Sequence, residues 1–266
     1  MLNNFFFHSH FLLLLFLLFI GFLSGFVDAV AGGGGLISLP ALIYIGTPII
    51  YAMGTSKLQG AFGTSAAVYK YYKAKLINWD TVYQGLILGF IGAVLGSYIT
   101  NHISNAFMSY IIPFLMLGVF LLNIFNDKIG LHKRHIKMNE KLFFSVFGFI
   151  IGFYDAFFGP GSGNLWVIAI VYFLGYTYVE ASGYAKLLNL KSCLISLAVF
   201  LYYKKVFFVF GFVMAVGQII GGYLGAKTTL LRGSRFVRKF FLSVIFANII
   251  ILSYVMIFHP HNLVIS

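Results

Sequence analysis

Charge is what this sequence lacks most. Only 9% of its 266 residues are charged, against about 25% in an ordinary soluble domain. A water-exposed surface cannot be built from that supply. Acidic groups are scarcest, with six Asp and Glu against 18 Lys and Arg, a net charge of +12. Cysteine is nearly missing as well: the single Cys193 excludes an intramolecular disulfide and any CxxC metal site. The histidines in loops, His102, His132 and His135, fall at no metal-ligand spacing, so no metal and no cofactor is expected. No Lys or Arg precedes Lys57, so residues 5–23 lack the basic start of a signal peptide, although Ala29-Val30-Ala31 has the form of a cleavage site.

What is abundant is apolar surface. Hydrophobic residues make up 61% of the chain, and the mean hydropathy is +0.95. Runs long enough to cross a bilayer, roughly 20 residues each, recur from end to end. Apolar segments fall at about 10–31, 35–50, 55–73, 79–101, 106–126, 142–158, 161–177, 183–203, 206–228 and 236–258. Backbone facing lipid must satisfy its own hydrogen bonds, and no strand-like alternation is present. An all-α, polytopic helical membrane protein follows. The basic residues sit in short loops between apolar runs, which fits a topogenic signal and not nucleic-acid binding.

The chain reads as two related halves: a first repeat over 1–126, a basic linker over 127–141 (DKIGLHKRHIKMNEK) and a second repeat over 142–266. GFVDAVAGGGG at 25–35 aligns with GFYDAFFGPGS at 152–162, setting Asp28 over Asp155. After a two-residue insertion, Gly54, Lys57 and Lys75 fall over Gly183, Lys186 and Lys204. Internal symmetry of this kind is a transporter trait. Three basic clusters, Lys70 to Lys75, Lys128 to Lys141 and Lys227 to Lys239, share one side of the membrane only if the second half is inverted. Five segments per half then leave both termini outside, with Lys204 and Lys205 as exceptions to the charge rule.

Asp28, Asp155, Lys57 and Lys186 interrupt apolar segments, and each costs about 2.5–3.5 kcal/mol at a bilayer centre. One reading is a structural salt bridge within each half. The other is a transport pathway, with Asp28 and Asp155 as proton carriers. Four adjacent glycines, Gly32, Gly33, Gly34 and Gly35, and the run Gly159, Pro160, Gly161, Ser162, Gly163 are expected to break their helices near the bilayer midplane. The helix starting after each break offers free N–H groups to an anion, with Lys57 and Lys186 adding positive charge. Gln59 and Asn189 follow the lysines and are further candidates for lining a cavity, as is Lys191, which has no counterpart charge. Gly85, Gly89, Gly92 and Gly96, and Gly217, Gly221 and Gly225, have small-xxx-small spacing and are read as helix-packing residues. Glu180 is read as solvated in a short loop, Trp79 as an interface anchor, and Trp166 as either anchor or site residue.

GFVDAVAGGGGLISLPAL followed by GTSKLQGAFGT, and GFYDAFFGPGSGNLW followed by AKLLNLKS, resemble the TauE/SafE family of membrane transporters, also called the 4-toluene sulfonate uptake permease family. The resemblance runs from about 20 to 240. It implies a multi-pass protein of the bacterial inner membrane that moves sulfite, sulfonates or other small organic anions. The residues alone imply a secondary transporter of a small anion; an integral-membrane enzyme acting on lipid-linked substrates and a permease subunit of a larger system are the alternatives. Core positions offer only Asp, Lys and Ser as reactive groups, so enzymatic chemistry is not the expectation.

Overall fold

A computed structural model describes residues 10–108, 111, 130–133, 135 and 137–258, of which 241–242 and 244–258 by their backbone alone. All regular structure among the described residues is helical: α1 (His10–Ala31), α2 (Gly35–Tyr44), α3 (Ile49–Lys73), α4 (Trp79–His102), α5 (Glu140–Phe157), α6 (Ser162–Leu174), α7 (Tyr178–Tyr202) and α8 (Phe208–Phe258). Four are long and apolar enough to cross a bilayer: α1, α4, α7 and α8 up to Phe240. The short α2 and α6 are apolar helices that follow the two glycine runs. The segment expected at 106–126 and the start of the linker fall largely outside the described residues.

Helix ends in the two halves correspond. Ile49 and Tyr178, Lys73 and Tyr202, and Trp79 and Phe208 are each 129 residues apart. Helices α3 and α7 also end alike. Lys75 (φ 54°) and Lys204 (φ 57°) are the non-glycine residues with left-handed backbone among those described. In each case the left-handed residue and its successor donate N–H groups back to the last turn: Lys75 to Tyr72 (2.9 Å) and Leu76 to Tyr71 (3.3 Å), Lys204 to Leu201 (3.0 Å) and Lys205 to Phe200 (2.9 Å). That is a Schellman cap.

Several boundaries differ from the hydropathy reading. α2 stops at Tyr44, not near 50, because Gly46 (φ 90°) caps it. α3 begins at Ile49, six residues before the expected start, behind Pro48, whose ring fixes a helix-entry φ. α7 begins at Tyr178, not 183, because Thr177 and Glu180 form a capping box. Glu180 is therefore helical, and its carboxylate pairs with Lys133 at 2.8 Å. That hydrogen bond holds the Lys133 ammonium above its usual range. The basic cluster at 227–239 spans a junction between two helical stretches: Gly233 (φ 70°, ψ −174°) is non-helical and divides α8 in the interval between the expected segments 206–228 and 236–258.

The halves interlock by exchanging partners. α1 of the first half packs along α8 of the second, and α4 of the first along α5 of the second. Both seams use the glycine stripes at matching positions. A methyl group at Gly221 would fall 2.1 Å from the Phe22 carbonyl oxygen, and one at Gly92 would fall 2.3 Å from that of Phe149. Backbones approach this closely only where the side chain is a hydrogen. Gly221→Ala should therefore lower stability by about 1–3 kcal/mol through overpacking. Gly183 sits in α7 with its nearest non-local atom at an ordinary 3.4 Å. Gly183→Ala should instead be neutral or stabilising by up to about 1 kcal/mol. Thermal unfolding of both variants in detergent checks the contrast.

Candidate functional site

The site forms where the two glycine breaks meet. Asp28 lies in the last turn of α1, and Gly32 (φ 79°) turns the chain out of the helix. In the second half, Asp155 lies in the last turn of α5, followed by Gly159 (φ 93°) and Gly161 (φ 81°). These conformations explain the glycines, since a Cβ is strongly disfavoured there. The breaks then abut: a Cβ on Gly32 would sit 2.4 Å from the Gly163 backbone, and one on Gly35 3.1 Å from that of Pro160.

This contact carries each aspartate across to the other half's lysine. Lys57 Nζ on α3 lies 3.0 Å from Asp155 Oδ1, and Lys186 Nζ on α7 lies 2.8 Å from Asp28 Oδ2. The pairing expected within each half is thus replaced by two crossed ion pairs. Repeat alignment places each lysine beside its own half's aspartate only along the chain; packing of the breaks decides the partner in space. All four groups are largely withdrawn from solvent, Lys186 at 0% exposure and Asp155 at 4%. Lys57 also donates to the Asp155 carbonyl oxygen.

Each carboxylate also sits at the start of a helix. The Gly34 N–H faces Asp28 Oδ1 at 3.4 Å, ahead of α2, and Ser162 Oγ at the start of α6 donates to Asp155 Oδ1 at 2.8 Å. The partial positive charges of two helix N-termini are thereby met by the protein's own anions. The aspartates differ in one respect. Both Asp28 oxygens are engaged, Oδ2 also receiving Thr64 Oγ1 at 3.4 Å. Asp155 Oδ2 is buried with no hydrogen-bond partner among the described residues.

A cavity of about 60 Å³ opens beside the pairs. At roughly 15 Å³ per water it holds about four waters, or one small polyatomic ion. Of the residues singled out from sequence, Asp28, Gly32, Gly35, Lys57, Asp155, Gly159, Gly161, Ser162 and Asn189 line it. Gly33, Gly34, Gln59, Gly163 and Lys186 do not: Gly163 packs on Gly32, Lys186 lies behind Asp28, and Gln59 is fully buried with both amide ends unpartnered among the described residues. Lys191 stands apart from the cavity too, and Trp166 is fully buried on α6 as a core residue.

Thr64 and Cys193 line the cavity although the sequence reading passed over them. Their signal was available: each lies seven residues, two helical turns, beyond its lysine and so on the same face. Ser38 and Ser56 also face it, 3.1 Å from each other. Gln218 reaches it from a glycine stripe that gave no such hint.

The crossed pairing has a direct consequence for stability. Lys57→Met leaves Asp155 buried and uncompensated, at a cost of about 3–5 kcal/mol. Adding Asp155→Asn should recover most of that loss, whereas adding Asp28→Asn should not. Thermal unfolding of the two double variants distinguishes crossed from within-half pairing.

Sequence comparison identifies the family. The family described as "Sulfite exporter TauE/SafE" matches residues 17–252. A Haemophilus influenzae protein named "Probable membrane transporter protein" is 38% identical over 226 residues, covering 85% of this chain and 89% of its own. "Probable membrane transporter protein YfcA" of Escherichia coli K12 is 33% identical over 227 residues, 85% of this chain and 84% of its own. "Probable membrane transporter protein ORF9" of a Sinorhizobium species is 31% identical over 226 residues, 85% and 87%. No solved structure matches. With its family motif spanning nearly the whole chain and its charged groups gathered at two abutting helix breaks, this membrane protein belongs to the TauE/SafE family of transporters.

Proposed function

We propose that the protein is a multi-pass secondary transporter of a small anion in the bacterial inner membrane, with sulfite or a short organosulfonate as the substrate class. The observation that carries this reading is the pair of crossed Asp–Lys bridges at two helix N-termini beside a small cavity. An incoming anion competes with Asp155 for Lys57 and for the start of α6. It offers the same charge and the same acceptor oxygens, so the exchange conserves hydrogen bonds. The choice of sulfur oxyanions rests on the family description.

The two halves act as an inverted repeat. The matching helix ends and the exchanged packing support it, and inversion of the second half would bring the basic clusters to one membrane face. The cavity is lopsided with respect to that symmetry. Ser38, Leu39, Met53 and Ser56 line it, whereas Trp166 and Ser182, which correspond to Leu39 and Met53 in the second half, do not. With the Lys70–Lys75 end of α3 cytoplasmic, the lined half faces outward and Trp166 closes the inner half.

Proton coupling is assigned to Asp155. Its Oδ2 carries no donor among the described residues, so a proton has a place to bind once Lys57 has turned to the substrate. Asp155→Asn should abolish anion accumulation driven by a pH gradient while anion exchange down its own gradient continues. Proteoliposome flux of labelled sulfite and methanesulfonate, with and without a pH gradient, tests this. Undiminished pH-driven accumulation in a well-folded Asp155→Asn protein would remove Asp155 from the coupling step.

A further inference from the structure

Lys191 takes no part in the crossed pairs. Its Nζ is buried, and no hydrogen bond or ion pair reaches it from the described residues. The ammonium occupies the space that Gly89 of α4 leaves open, where an added Cβ would fall 1.8 Å from Nζ, next to the Gly148 carbonyl of α5. Asp155, two turns further along α5, is the charged group that acts on it electrostatically.

The matching corner of the other half is built without charge. Phe62 stands at the position corresponding to Lys191, and Gln218 at that corresponding to Gly89. There the space between Gly25 and Gly63 is filled by the neutral Gln218 side chain. One corner of the pseudo-symmetric pair is neutral and the other carries a lysine.

The charge count around the cavity follows. Lys57 and Lys186 balance Asp155 and Asp28, and Lys191, whose buried Nζ has no hydrogen bond or ion pair among the described residues, adds one positive charge to this group. An uncompensated charge is costly in a low-dielectric interior. A bound monoanion removes that cost without touching Lys191, because Coulomb interaction is long-ranged where water is scarce.

We propose that Lys191 is a specificity-determining residue that sets the charge of the bound species, its ammonium being the buried positive charge that the substrate anion balances. The inference rests on the anion-transport reading and adds which residue fixes the anion's charge. Because the lysine acts through space, its contribution must scale with ligand charge. A packing role would affect ligands of equal size equally.

The test uses three ligands of similar shape, dimethyl sulfone (neutral), methanesulfonate (one negative charge) and sulfate (two). Binding to the purified full chain in detergent is measured by calorimetry. Lys191→Met and Lys191→Gln should fold, since each removes an unpartnered charge. Each should weaken methanesulfonate roughly tenfold and sulfate by roughly the square of that factor, the scale set by a unit charge acting across a partly buried site. Dimethyl sulfone should be unaffected, and Lys191→Arg, which keeps the charge, should bind methanesulfonate within about threefold of the parent. Unchanged methanesulfonate affinity in the Met and Gln variants, or an equal loss for methanesulfonate and sulfate, overturns the role of Lys191 while the transport reading stands. A parent protein that binds neither anion overturns both.

Discussion

Two ion pairs cross between the halves at the point where the glycine breaks meet. Lys57 with Asp155 and Lys186 with Asp28 place four charges where water is scarce. A buried pair gains little over an apolar replacement, yet breaking one by removing a single partner is expensive. Such pairs are therefore poor glue and effective switches. Their geometry requires that the two helix breaks touch, which in turn requires glycine at Gly32 and Gly163 and the partner exchange of α1 with α8 and α4 with α5.

The same arrangement explains how an anion site can sit beside carboxylates. The starts of α2 and α6 and the two lysines form an anion-binding surface, and in this state Asp28 and Asp155 occupy it. In the proposed function, substrate is recognised by displacing an internal ligand of the same charge. The barrier to exchange is then the difference between two ionic contacts, not the full cost of exposing a bare ammonium. The role proposed for Lys191 is to shift that difference toward the incoming anion.

Much of this was legible in the residues, for physical reasons. Charges in an apolar run are costly enough that Asp28, Asp155, Lys57 and Lys186 stand out unaided, and a repeated motif marks the glycine breaks. Partner choice was not legible. The alignment sets Lys57 and Asp28 in one half, and only the contact of Gly32 with the Gly163 backbone brings each aspartate to the other lysine. Hydropathy places the starts of α3 and α7 too late because it does not weigh caps, and Pro48 and the Thr177–Glu180 box decide those ends. Gln218 was hidden inside a packing stripe that is otherwise glycine.

In the proposed mechanism an incoming anion opens the Lys57–Asp155 bridge. Anion-induced infrared difference spectroscopy on the reconstituted protein observes that carboxylate directly, with Asp155→Asn as the assignment control. Adding methanesulfonate should remove an ionised-carboxylate band and produce a protonated carboxyl band, both missing in the control. A carboxylate region that stays unchanged at an anion concentration that saturates transport would contradict the account.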